Sequence, residues 1–127
     1  MTNEQPEISK GRKIAAWVLV GLLGALFLFS ASMKLKGGEQ IIASFAKLGL
    51  TGKEMLIGGG ELIATLLFII PRTTSLGVLL LSAHMGGAIV VHMGQGEPYA
   101  FQAIILVLVW VAGWLRNPEM FASFTKK

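Results

Sequence analysis

Across its middle the chain reads Met55-Leu56-Ile57-Gly58-Gly59-Gly60-Glu61-Leu62-Ile63-Ala64-Thr65-Leu66-Leu67-Phe68-Ile69-Ile70-Pro71-Arg72. From Met55 to Ile70 there is one charge, Glu61. A carboxylate at membrane depth costs roughly 2.5–3.5 kcal/mol on insertion scales, so a partner, a proton or a ligand must offset it. Pro71 lacks a backbone donor and disfavours helix at the residue before it, which makes a sharp break. The next apolar stretch, about Thr73 to Met93, holds both histidines of the chain, His84 and His92. The two stretches are expected to pair as an antiparallel helical hairpin.

Two further apolar stretches flank the hairpin, Ile14 to about Met33 and about Tyr99 to Leu115. The first and third stretches approach the roughly 20 residues that cross a bilayer; the second and fourth are shorter. Gly94-Gln95-Gly96-Glu97-Pro98 reads as the turn between the last two. The expected fold is all-α: an integral membrane four-helix bundle over residues 14–115, between cytoplasmic tails at 1–13 and 116–127. Residues 1–10 read as a short disordered tail.

Composition agrees with a membrane protein. The 127 residues are 54% hydrophobic with a mean hydropathy of +0.68, and 14% are charged, against about 25% in a soluble domain. The absence of cysteine removes disulfides, iron–sulfur ligation and thiolate zinc sites. The net charge of +4 sits at the termini and in connecting segments without aromatic interleaving, so it reads as topology and not as nucleic-acid binding. With four spans, one side carries Lys10, Arg12, Lys13, Arg72, Arg116, Lys126 and Lys127, and the other Lys34, Lys36, Lys47 and Lys53. That bias places both termini in the cytoplasm, and the expected location is a bacterial cytoplasmic membrane. A signal peptide is the competing reading of the start, with Ser30-Ala31-Ser32 as cleavage site. The apolar core from Ile14 to Phe29 is longer than such peptides use, and the segment is read as a span.

The first connection, about residues 34–54, is not simply polar. Ile41, Ile42, Phe45 and Leu48 recur at near-helical spacing, which predicts a short amphipathic helix ended by Gly49. It is either a connector lying on the outer interface or a lid over a cavity between the spans. Pairs of small residues four apart, Gly60 with Ala64, Ser82 with Gly86 and Ala83 with Gly87, predict close helix packing. The triple glycine before Glu61 also leaves room beside it.

Helical rise places Glu61 and His84 at similar depth, roughly 15 and 18 Å from the Pro71 turn, so they can face each other. His92 lies two turns farther out. Ser30 and Lys34 share a face of the first span near that outer side, and Gln102 begins the fourth span there. These six residues form a predicted polar track for a ligand or a proton, and intramembrane ionisable residues are functional candidates. Each has a bland alternative. Lys34 can snorkel to the interface, His92 can be interfacial, and Gln102 can bond a neighbouring helix. A Glu61–His84 hydrogen bond can simply hold helices together. Two histidines eight residues apart on one helix cannot clamp one iron from opposite faces, and a Glu-His metal site lacks further ligands, so no metal is expected. No phosphate loop, nucleophile elbow or HExxH motif is present. Trp17, Trp110 and Trp114 fit membrane anchoring.

The chain resembles the DoxX-like family of small four-span membrane proteins. The matching pieces are Phe29-Ser30-Ala31-Ser32-Met33-Lys34-Leu35, Leu48-Gly49-Leu50, Gly60-Glu61-Leu62, Ile70-Pro71-Arg72, and Gly86-Gly87-Ala88 followed by His92. They span about residues 14–115. The resemblance implies a membrane subunit of the kind found in a thiosulfate:quinone oxidoreductase, or one tied to methylamine-dehydrogenase maturation or oxidative stress. It maps onto Ser30, Lys34, Glu61, Arg72 and His92, and not onto His84. Three functions follow as expectations. The first is an oxidoreductase-associated subunit with a quinone site, which takes electrons from a redox-protein partner because the chain has no redox motif of its own. The second is a small proton-coupled transporter working as a homo-oligomer. The third is an assembly protein without chemistry.

Overall fold

A computed structural model describes residues 8–125. Residues 1–7 and 126–127 lie outside them, and with them most of the predicted N-terminal tail. Helix α1 spans Lys10–Lys36, α2 Glu39–Lys47, α3 Glu54–Ile69, α4 Thr74–Gly94, α5 Ala100–Arg116 and α6 Ala122–Thr125. Short 3-10 turns at Pro71–Thr73 and Pro118–Phe121 lead into α4 and α6.

Local chemistry sets the boundaries. Ser9 caps α1, its Oγ accepting from the Arg12 N–H at 3.1 Å. Gly37 ends α1 at φ 75°, a left-handed conformation in which its N–H reaches Met33 O. Gly49, also left-handed, follows α2 at the stop expected from its sequence. Ile70 is extended before Pro71, as the residue ahead of proline prefers. The carbonyls this strands at the end of α3 are taken up by hydroxyls. Thr73 donates to Leu67 O at 2.7 Å and Thr74 to Phe68 O at 2.9 Å.

The helices α1, α3, α4 and α5 close into a ring, with contacts between α1 and α3, α3 and α4, α4 and α5, and α5 and α1. The surface is inverted relative to a water-soluble domain. Leu22, Ile63, Leu79 and Val107 are exposed while Glu61 is only 2% exposed. Apolar surface outside and a paired carboxylate inside is what lipid demands.

Among the described residues two helical segments are long and apolar enough to cross a membrane, Lys10–Lys36 and Pro71–Gly94, and a third if α5 and Pro118–Phe124, bent by 113°, form one span. The expectation of four spans is therefore met in part. With 16 residues, α3 rises about 24 Å, short of the hydrocarbon thickness of about 30 Å.

The end of the molecule that carries the described termini and the Pro71 turn is densely packed. Phe68, Leu81, Val20, Val78 and Val109 are fully buried there. A Cβ on Gly77 would meet the backbone of Phe68, so α3 and α4 touch at van der Waals distance. Arg116 Nη1 donates to Ile69 O at 2.7 Å and to Thr74 Oγ1 at 3.0 Å, and its guanidinium lies 4.2 Å from the Trp17 ring centroid. Arg12 does the reciprocal. It donates to Trp114 O and Leu115 O and stacks on the Trp114 ring at 4.1 Å. Residues from Asn117 to Phe121 pack back onto α4 and α5. Asn117 donates to Ser75 Oγ at 3.1 Å, Met120 packs against Gly113, and Phe121 stacks on Trp110.

Candidate functional site

The opposite end is built differently. Three helices bring polar groups to one point. Glu61, on α3, is flanked on the same helix by Gly58, whose absent side chain admits Lys34 of α1: a Cβ there would sit 2.8 Å from Lys34 Cβ. Lys34 Nζ donates to Glu61 Oε1 at 2.7 Å and to Ser30 Oγ at 2.6 Å, and Ser30 Oγ donates to the same Glu61 oxygen at 3.2 Å. Ser30 and Lys34 are one helical turn apart, which sets both on one carboxylate. From α4, His84 Nε2 lies 3.2 Å from Glu61 Oε2. Thr65 donates back to Glu61 O at 2.7 Å and fixes the backbone beneath it. Glu61 thus has three side-chain partners, the satisfaction that a buried carboxylate requires.

Lys34 does not snorkel outward. Its helix continues to Lys36, which holds residue 34 in helical register with Ser30 and turns the ammonium onto Glu61.

His92 and Gln102 form a second polar group about 12 Å farther along α4. His92 Nδ1 is 2.7 Å from Ala88 O, and its Nε2 is 3.5 Å from Gln102 Nε2 and 4.0 Å from Glu97 Oε1. All six predicted residues, Ser30, Lys34, Glu61, His84, His92 and Gln102, line one cavity of about 590 Å3. Its remaining wall is largely apolar, with Phe27, Met85 and Ile105 among the lining residues. That size and composition are those of small-molecule sites.

Helix α2 also lines the cavity, through Ile41 and Phe45, with Leu48 just past its end. Its amphipathic spacing was visible, but not which surface the apolar face would cover. Phe45 is buried, and Lys47 reaches Glu97 at 3.5 Å, which ties α2 to the α4–α5 turn. Gly87 lines the cavity, and a Cβ added to it would meet nothing within 4 Å, so that wall is open. Arg72, to which the resemblance points, is exposed in the Pro71 turn at the other end of α3 and lines no part of the cavity. Among the described residues no three His, Asp or Glu gather as a metal site.

Searches of curated proteins and of solved structures returned no match. The model of the DoxX-like family matches residues 18–112, three-quarters of the chain and every residue of the cavity's polar wall. With its apolar helices and inverted surface, the chain is a protein integral to the membrane, and it belongs to the DoxX-like family.

Proposed function

We propose that the chain is a four-span membrane subunit that holds a quinone-type ring in this cavity and serves a partner oxidoreductase, with both termini in the cytoplasm of a bacterial cell. Residues 14–115 form the transmembrane domain in this reading, and 1–13 and 116–127 flank it on the cytoplasmic side. The observation that carries it is the cavity itself: about 590 Å3, mainly apolar, with polar groups at two levels. A quinone ring fits that chemistry, since it needs an apolar slot and hydrogen-bonding groups at its two oxygens. Lys34, His84 and Ser30 would serve one oxygen, and the Gln102 end, beside His92, would take the other in its hydroxyl form. When bound, the quinone supplies two-electron redox chemistry. The chain's own part is to bind and orient the ring, exclude water from it and hold protons at Glu61 and the histidines.

A second reading is favoured by the threefold pairing of Glu61: the cluster ties α1, α3 and α4 together, and the protein assembles or anchors a partner without chemistry. Purification in mild detergent, followed by mass spectrometry of bound lipids and proteins, separates the two. Stoichiometric quinone, or a redox protein retained with it, is the result expected. A chain with a redox partner and no quinone-class molecule, and no binding of added short-chain quinone or quinol, points to the anchoring reading.

A further inference from the structure

The inner face of Gln102 poses a hydrogen-bonding question that the protein does not answer. His92 Nδ1 lies 2.7 Å from Ala88 O. A carbonyl only accepts, so Nδ1 carries the proton, and the Nε2 of a neutral His92 is then an acceptor. The Gln102 group facing it at 3.5 Å is the NH2, the amide orientation that sets a donor against the accepting Nε2 of this tautomer. This leaves Gln102 Oε1, which is buried and has no hydrogen-bond partner among the described residues. Gln102 lines the cavity. A buried acceptor left unmade is destabilising, and a ligand that brings a donor relieves it.

We infer that the Gln102 end of the cavity selects a ligand bearing a hydroxyl donor, a phenol or hydroquinone, over the carbonyl or ether form of the same ring. This rests on the cavity binding a ring ligand as proposed above. It assigns Gln102 as a specificity-determining residue whose carbonyl accepts from the ligand, while its NH2 is occupied by His92. A quinone carbonyl at this place would meet a second acceptor, and a hydroxyl would complete the set.

A redox-inert probe pair tests this, 4-hexylphenol against 4-hexylanisole, which differ in the donor and keep the ring and tail. Binding to the purified full chain in detergent is measured by titration calorimetry, for the native chain and for Gln102→Leu. Comparing the phenol-to-ether affinity ratio between the two proteins cancels unequal partitioning into detergent. The ratio is expected to fall about five-fold in Gln102→Leu, with ether binding retained as proof of an intact cavity. In the native chain, one glutamine side-chain carbonyl resonance is expected to move with the phenol and stay with the ether, which needs no variant to fold. Equal ratios in the two proteins, or no phenol-specific carbonyl shift, overturn the donor preference and leave the cavity reading standing. Binding of neither probe to the native chain overturns both.

Discussion

The two ends of this molecule solve opposite problems with the same four long helices. At the Pro71 end, helices touch backbone to backbone, and two arginines are stapled over two tryptophans while capping stray carbonyls. At the α2 end, α1 and α3 still meet closely at Gly58, but the bundle opens around about 590 Å3 of space with polar side chains from three helices on its wall. Density at one end allows openness at the other. A ring of four helices splayed at both ends would lose the packing that substitutes, in lipid, for hydrophobic association.

Substitutions that exchange the two characters should break this contrast. The largest effect is expected from Gly77→Ala. Its Cβ would collide with the Phe68 backbone, which cannot rotate away, and no monodisperse protein should be recovered by size-exclusion chromatography. The matching change at the open end, Gly87→Ala, meets nothing within 4 Å and should leave the melting temperature in detergent within error.

Next comes the ion pair. Lys34→Met leaves Glu61 without its ammonium partner, and an uncompensated buried charge costs about 3 kcal/mol or more. Thermal unfolding should show that loss, and the double variant Lys34→Met with Glu61→Leu should regain most of it. A double variant as unstable as the single one would mean that the charges themselves are not what holds this end.

A comparable but smaller loss, about 2 kcal/mol, is expected for Arg116→Met, which removes charge-assisted hydrogen bonds to Ile69 O and Thr74 Oγ1. It should appear as faster hydrogen exchange at the last turn of α3, with the cavity end unaffected.

The smallest effect belongs to Lys47→Ala. The Lys47–Glu97 pair is solvent-exposed on the lysine side, and such pairs contribute at most about 1 kcal/mol. Stability should hardly change, while exchange in α2 rises because this tie to the α4–α5 turn is gone.

Much of the open end was legible because it depends on counting. Ten residues from Glu61 to Pro71 and twelve from Arg72 to His84 are enough to bring that pair level, and a helical turn separates Ser30 from Lys34. The direction of Lys34 was not legible. It depends on α1 running past the apolar stretch to Lys36, and a lysine near a span end satisfies snorkelling and pairing equally well in sequence. The lid-like placement of α2 was undecided for a similar reason, since an amphipathic helix records that it covers something apolar and not what.

The dense end was the less readable one. Gly77 looks like any other glycine until Phe68 is set against it. The contacts of Arg12 with Trp114 O and Leu115 O join residues more than 100 positions apart, and no local pattern encodes them. Residues 116–127 follow the last apolar stretch, and their sequence alone says nothing of what they touch. Their packing onto α5 comes from Met120 and Phe121, which only tertiary contact reveals.

The Arg116 cap also has a bearing on biogenesis. The carbonyls of Phe68 and Ile69 are made 47 residues or more before the guanidinium that donates to Ile69 O. During synthesis the α3–α4 turn therefore forms first with the threonine hydroxyls on its stranded carbonyls. Arrival of α5 closes the ring against α1 and completes that turn in one event. A nascent chain halted before residue 116 lacks the guanidinium that the finished molecule brings to Ile69 O.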